Sequence, residues 1–459
     1  MMALLLLLLL WWTRITALDT LPLHNDEGLH LTRAVEVWNL NPFWEIRDGK
    51  IINHWLIAAF YPQNQPVFIG RVASVFVAMI GLAAALALAR RARGRWTMLL
   101  TGLLWISAPL LFFYERMAFS DAQAGALGTL ALLASLYLTR SQRSRDALLT
   151  GAALALALLF KFTAAPFAVS VGLVYLTPPQ SQVTSTRSPL QKRRDDSHLP
   201  SRRSQADRTA PPLFWREGWG VMLRNLLIIA AAVAAAFAVP IAVLVLRGGS
   251  LFDIALAWVG TGGSGDLTLL DNLGRLLSLL VWADAPLFSL ILSAGLLAVL
   301  IYGRREGRVL LLAAAIPLLV IMTLGRDAQS RHFVAALPPL IAVAGIGLGL
   351  AVEAFPAGVR LTAAAALAIA LFAPFQPLAL HLYRDPATVA LPALMRQQYI
   401  VGYASGYGLR EAVQAFPQTI ARPDIPIIGS MYPDSCRRAN FHAPPSMTLV
   451  CGDAPMRAA

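Results

Sequence analysis

Runs of apolar residues long enough to cross a bilayer dominate the chain and leave few folds open to it. A hydrocarbon core of about 30 Å takes roughly 20 residues of helix. Backbone groups inside it must be satisfied within the segment, which favours helices. Eleven candidate spans lie near 2–18, 67–89, 96–113, 120–138, 147–160, 163–177, 221–246, 277–302, 309–324, 333–352 and 361–380. The first is short before Arg14, and 147–177 reads as two spans or as one helix broken at Lys161 and Pro166. Residues 2–18 read as a retained span in preference to a cleaved signal, because no basic segment precedes the run and the cleavage site is weak. Composition agrees: 57% apolar and 14% charged residues are far from the balance of a soluble domain and too apolar for disorder. Two cysteines, Cys436 and Cys451, exclude a disulfide scaffold and any cysteine-rich metal module. The expectation is an all-α polytopic membrane protein.

A formal charge of +13 and an isoelectric point near 10.4 ordinarily point to nucleic acid. That reading needs a basic soluble surface, which this chain lacks, so no nucleic-acid partner is expected. Segments 90–95, 139–146, 178–218, 303–308 and 353–360 together carry nineteen basic and seven acidic residues. Eleven spans put all five on one side, and the positive-inside rule makes that side cytoplasmic. The loop 19–66 carries three basic and six acidic residues and falls opposite. The N-terminus is therefore expected inside and the C-terminus outside, in a multi-pass protein of the plasma membrane. Residues 1–380 form the membrane domain. The Ser-, Arg- and Pro-rich stretch 178–218 reads as a disordered cytoplasmic loop. Residues 381–459 read as a small external α/β domain, where a Cys436–Cys451 disulfide could persist. No phosphate-binding glycine loop is present, which argues against a nucleotide-driven pump.

The remaining ionisable residues gather at the external ends of the spans. Asp26 and Glu27 follow the first span, in a loop whose Trp38, Phe43, Trp44, Trp55, Phe60 and Tyr61 suit interfacial helices. Glu115, Arg116 and Asp121 lie between the third and fourth spans. Lys161 interrupts an apolar stretch, where an ionisable group is costly and a functional role is the default reading. Arg326, Arg331 and His332 lie between the ninth and tenth spans. Cations set against carboxylates at one membrane face suit a lipid-linked phosphate, with a carboxylate to activate an acceptor hydroxyl.

The run Leu23-His24-Asn25-Asp26-Glu27-Gly28 resembles the acidic first-loop motif of the GT-C glycosyltransferases. Within that superfamily the chain is most similar to glycosyltransferase family 39 and the aminoarabinose-transferase type, which includes protein O-mannosyltransferases. Asp48-Gly49-Lys50, Gly70-Arg71-Val72-Ala73-Ser74, Glu115 to Asp121, Phe160-Lys161-Phe162, Ser330-Arg331-His332-Phe333 with Leu337-Pro338-Pro339, and Gly402 to Gly408 followed by Leu409-Arg410-Glu411-Ala412 fit in order and spacing. His332 stands where the family commonly has Tyr, and 178–218 is outside the common pattern. The resemblance implies a GT-C-like bundle with interfacial helices in the first external loop and a cavity opening outward. It implies a polyprenyl-phosphate sugar as donor and inverting transfer to a lipid, glycan or protein acceptor. It makes Asp26 the base or metal-linked carboxylate, with Glu27 in support. Arg71, Arg116, Lys161, Arg326, Arg331 and His332 become phosphate or donor ligands, and Glu115 and Asp121 ligands of sugar hydroxyls, a divalent cation or a neighbouring Arg. Whether a divalent metal takes part, through Asp26 and Glu115, is left open. The rival readings are a transporter or flippase for lipid-linked sugars and a noncatalytic assembly subunit. The first expects broken helices at mid-membrane and an internal repeat; no repeat is evident.

Overall fold

Helices follow the apolar runs, and Pro, Gly and charge set where they stop. The computed structural model describes residues 1–43, 49–60, 65–177, 213–250, 269–280, 286–325, 328–419, 427–431, 433–444 and 447–451. Fourteen helices lead up to residue 384 among these: α1 (Met2–Ile15), α2 (Asn25–Trp38), α3 (Ile51–Ala59), α4 (Pro66–Ser107), α5 (Pro109–Tyr114), α6 (Asp121–Ser141), α7 (Ser144–Phe160), α8 (Pro166–Leu176), α9 (Leu213–Leu246), α10 (Leu269–Leu280), α11 (Pro286–Tyr302), α12 (Arg305–Leu324), α13 (Ser330–Ala354) and α14 (Ala357–Arg384).

The long α4 is a hairpin. Gly94 has φ +77°, a left-handed conformation that favours glycine. Residues 81 and 105 would lie about 36 Å apart along a straight helix, yet a Cβ on Gly81 would come within 3.0 Å of the Trp105 ring. Its two arms match the sequence spans 67–89 and 96–113, the second closed at Ser107 because Pro109 starts a new helix. The stretch 147–177 is also broken where expected, with α7 ending at Phe160 and α8 starting at Pro166. Where 277–302 was read as one span, α10 ends at Leu280 and α11 begins at Pro286.

Among the described residues, six helical segments are long and apolar enough to cross a membrane: Pro66–Ala92, Asp121–Ser141, Trp219–Leu246, Arg305–Leu324, Ser330–Ala354 and Ala357–Arg384. Shorter apolar helices lie at Met2–Ile15, Phe162–Leu176 and Pro286–Tyr302. The chain is a multi-pass, almost wholly helical membrane protein. α13 is its central post, buried from Ser330 through Gly349 apart from Arg331 and His332. α9 and α14 present Leu223, Leu227, Val239, Leu361 and Ile369 outward, as a lipid-facing periphery requires.

Two ends of the bundle differ in chemistry. At one, Arg140 pairs with Glu306 at 3.2 Å, Gly94 approaches the Glu353 carboxylate, and Arg224 and Asn225 donate to the Gln142 carbonyl. The segments 90–95, 139–146, 303–308 and 353–360 therefore share that end. The stretch 178–212 lies outside the described residues. At the other end sit α2, α3 and the chain after α14. That chain forms short helical turns at Ala393–Arg396 and Gln397–Val401, then α15 (Leu409–Thr419). A small βαβ unit follows: β1 (Ile427–Met431), α16 (Pro433–Asn440) and β2 (Met447–Cys451), the strands parallel with Ile427 opposite Met447. Cys436 on α16 is buried and disulfide-bonded.

Candidate functional site

α2 begins with an unusual cap. The His24 imidazole accepts the Asp26 backbone N–H at 3.1 Å, and the Glu27 carboxylate accepts the His24 backbone N–H at 3.1 Å, so the pair forms a reciprocal capping box. Burial lowers the His24 pKa to about 3, so the ring is neutral and its Nδ1 is free to accept. The cap fixes the two adjacent carboxylates in different directions.

Glu27 is wholly buried. Arg71 donates to it twice, Nε to Oε1 at 2.8 Å and Nη2 to Oε2 at 2.7 Å, and the Ala118 backbone N–H adds a bond at 2.7 Å. Burial alone would raise its pKa, but the Arg71 charge and these bonds hold it below the usual carboxylate range. The rest of Arg71 is spent on the carbonyls of Leu18, Leu21 and Pro22. Glu115 accepts from Arg14 Nε at 2.7 Å and Trp105 Nε1 at 2.8 Å, and Arg116 donates to the carbonyls of Thr13, Arg14, Thr16 and Ala17. Arg71, Glu115, Arg116 and Glu27 thus bind the end of α1 to α2, α4 and the 115–120 turn. All four make bonds inside the protein, and the Glu115–Arg14 pair is one of the kinds of partner expected of Glu115.

Asp26 differs. Its side chain is 26% exposed and ion-paired with Arg331, itself 23% exposed, at the start of α13. Ser330 anchors that start through the Tyr114 hydroxyl at 2.5 Å, and Tyr114 also donates to Tyr399 at 3.1 Å. The Tyr399 ring lies 4.9 Å from His24 and 5.1 Å from Phe113, an aromatic wall behind Asp26 supplied by the turn after α14. Burial pushes the Tyr399 hydroxyl up to about 12, which keeps it a neutral donor or acceptor. His332 accepts the Gln329 backbone N–H at 3.2 Å and caps α13. Arg326 lies outside the described residues.

Asp121 and Lys161 form the second pair, Nζ to Oδ1 at 2.5 Å, with the Asp121 side chain 4% and the Lys161 side chain 12% exposed. Lys50 joins them. Burial, and then the like charges of Lys161 and Arg33, lower its pKa to about 7, against the opposing charge of Asp121. His30 and His54, Nδ1 to Nε2 at 3.0 Å, complete this cluster, both kept neutral by burial and by the cations around them. Lys50, Arg33 and His54 carried no assigned role in the sequence. Lys50 does stand in the family-like Asp48-Gly49-Lys50, the one signal that pointed to it. Lys50, Lys161 and Arg33 thus bring three basic side chains together around Asp121. A resident divalent cation fits poorly: Asp26 is engaged by Arg331 and Glu115 by Arg14. Among the described residues no three His, Cys, Asp or Glu side chains gather as a ligand set.

Residues 49–191 match the family model "Dolichyl-phosphate-mannose-protein mannosyltransferase". ArnT from Cupriavidus metallidurans bound to undecaprenyl phosphate superposes with a TM-score of 0.64 at 14% identity, over 98% of this chain and 86% of that one. The apo state of the same enzyme gives 0.57 at 14% identity, over 97% and 85%. No curated protein sequence matches the chain.

Proposed function

We infer that the protein is an inverting glycosyltransferase that moves a sugar from a polyprenyl-phosphate carrier to an acceptor at the extracytoplasmic membrane face. The observation that carries this reading is Asp26. Of Asp26, Glu27, Glu115 and Asp121 it is the one with a partly exposed side chain, it is ion-paired with Arg331, and Tyr399 feels the charges of both Arg331 and Asp121. The orientation, with the N-terminus cytoplasmic, draws support from the basic segments that share the opposite end.

The leaving polyprenyl phosphate is a stable anion, so a strong general acid is unnecessary. Lys50, Lys161 and Arg33 hold the phosphate and take up the charge that grows on it. Arg331 exchanges Asp26 for a phosphate oxygen, which frees the Asp26 carboxylate. The acceptor oxygen then bonds to the anomeric carbon, the bond from that carbon to the phosphate oxygen breaks, and the acceptor's proton passes to Asp26. The match to a mannosyltransferase family model and the fold shared with an enzyme solved with undecaprenyl phosphate support the donor class.

Membranes holding the protein, supplied with radiolabelled polyprenyl-phosphate sugars, should transfer label to an acceptor and release polyprenyl phosphate. Passage of the intact lipid-linked sugar across the bilayer without transfer would instead identify a flippase.

A further inference from the structure

Polar side chains inside an apolar bundle are costly unless bonded. Three of them sit at one level of the α4–α6 contact. A Cβ on Gly70 would lie 3.4 Å from Ala118, and one on Gly81 would lie 2.5 Å from Ala126, so the helices run side by side between these points. At a rise of about 1.5 Å per residue, Ser74 stands about 10 Å, and Ser120 about 9 Å, toward the Asp26 end from the Gly81–Ala126 crossing. Gln123 stands about 4.5 Å up, and its long side chain leans back toward the helix N-terminus, into the same level. The three are 2%, 0% and 1% exposed. Ser74 Oγ, Ser120 Oγ and both Gln123 amide atoms have no hydrogen-bond partner among the described residues. Asn53 Nδ2 is a fifth such atom, on α3, whose Ile52 and Leu56 pack against the apolar cluster that includes Val77 and Leu127. In sequence, Asp121 lies between Ser120 and Gln123.

An amide offers two donors and two acceptors, and each hydroxyl offers both. That inventory matches a ligand dense in hydroxyls. It suits neither a phosphate, which asks for donors and positive charge, nor a prenyl chain. We propose that Ser74, Ser120 and Gln123 bind the sugar hydroxyls of the donor, beside the Asp121–Lys161 pair. The assignment rests on the glycosyltransferase reading above and names its sugar subsite.

The test uses the full-length protein in lipid nanodiscs. Binding is measured for dolichyl phosphate, dolichyl-phosphate mannose, dolichyl-phosphate glucose and an undecaprenyl-phosphate pentose against undecaprenyl phosphate. The wild type is expected to bind at least one glycosylated carrier about tenfold or more tighter than its bare carrier. Gln123→Met is nearly isosteric and removes two unsatisfied buried groups, so it should fold at least as well. It should lose the sugar increment while keeping its affinity for bare carrier within about twofold. Ser74→Ala with Ser120→Ala should reduce the increment in part. Retention of the full increment in both variants would overturn the subsite and leave these atoms as hosts of internal water only. So would a wild type with no preference for any glycosylated carrier. If the wild type binds no bare carrier, the glycosyltransferase reading itself fails, and the subsite with it.

Discussion

Asp26 and Glu27 are neighbours with opposite duties, and the difference lies in what each touches. Glu27 is closed off by Arg71, Ala118 and His24, so Glu27→Gln leaves a buried guanidinium uncompensated. We expect a loss of about 3–5 kcal/mol, seen as a lower Tm and a poor yield of folded protein in detergent. Asp26→Asn, at a side chain about a quarter exposed, should leave Tm nearly unchanged. Lys50 adds a pH dependence. Its pKa near 7 rises when a phosphate sits beside it, so binding takes up a proton above pH 7. Affinity for undecaprenyl phosphate should be full below pH 7 and fall above it, by at most about tenfold per unit. Lys50→Arg, which stays charged, should flatten the profile. The sign for folding is separate. Between about pH 7 and 10 the unfolded chain binds more protons at this residue, so its cost to stability is full below pH 7 and relieved above. The placing of acids against cations at one end of the spans was legible in the sequence for Asp26, Arg331, Asp121 and Lys161. Pairing was not: Glu27 with Arg71 and Glu115 with Arg14 are joined by packing across 44 and 101 positions, which no local spacing encodes.

Elements carry the next constraint, the seat of α16 on α2. A Cβ on Gly28 would lie 2.5 Å from Arg438 Cγ, while Arg438 donates to the carbonyls of Ala404 and Tyr403. Gly28→Ala should therefore destabilise by about 1–3 kcal/mol through overpacking. Added to that variant, Arg438→Ala should cost less than it does in the wild type, because truncation relieves the clash. Thermal melts of the four proteins in a double-mutant cycle measure the coupling. Helix breaks were readable from local chemistry at Lys161, Pro166 and the Arg-rich turn around Gly94, whereas the span 96–113 was read through the break before Pro109. The His24 cap was not, since imidazole rarely stands in for the Ser or Thr of a capping box.

Across the whole molecule, the apolar runs and the bias of basic loops foretold a polytopic helical bundle with two unlike ends. The aromatic contact of Tyr399 with His24 was not legible, because it joins residues 375 positions apart by way of α14. Sidedness is directly testable. Ala92→Cys and Val401→Cys, both exposed, should label with impermeant maleimide from opposite sides of sealed vesicles. Labelling from one side would separate the basic end and the Asp26 end from the topology argued here.

The central claim is that Asp26 takes the acceptor's proton while the cationic cluster holds the donor phosphate. The most direct measurement is single-turnover transfer from a polyprenyl-phosphate sugar by purified wild type and Asp26→Asn, alongside binding of undecaprenyl phosphate to both. The account predicts that Asp26→Asn transfers about 10²- to 10⁴-fold more slowly while binding the carrier at least as well, since Arg331 is released to the phosphate. Transfer at the wild-type rate by a folded, carrier-binding Asp26→Asn protein would contradict it.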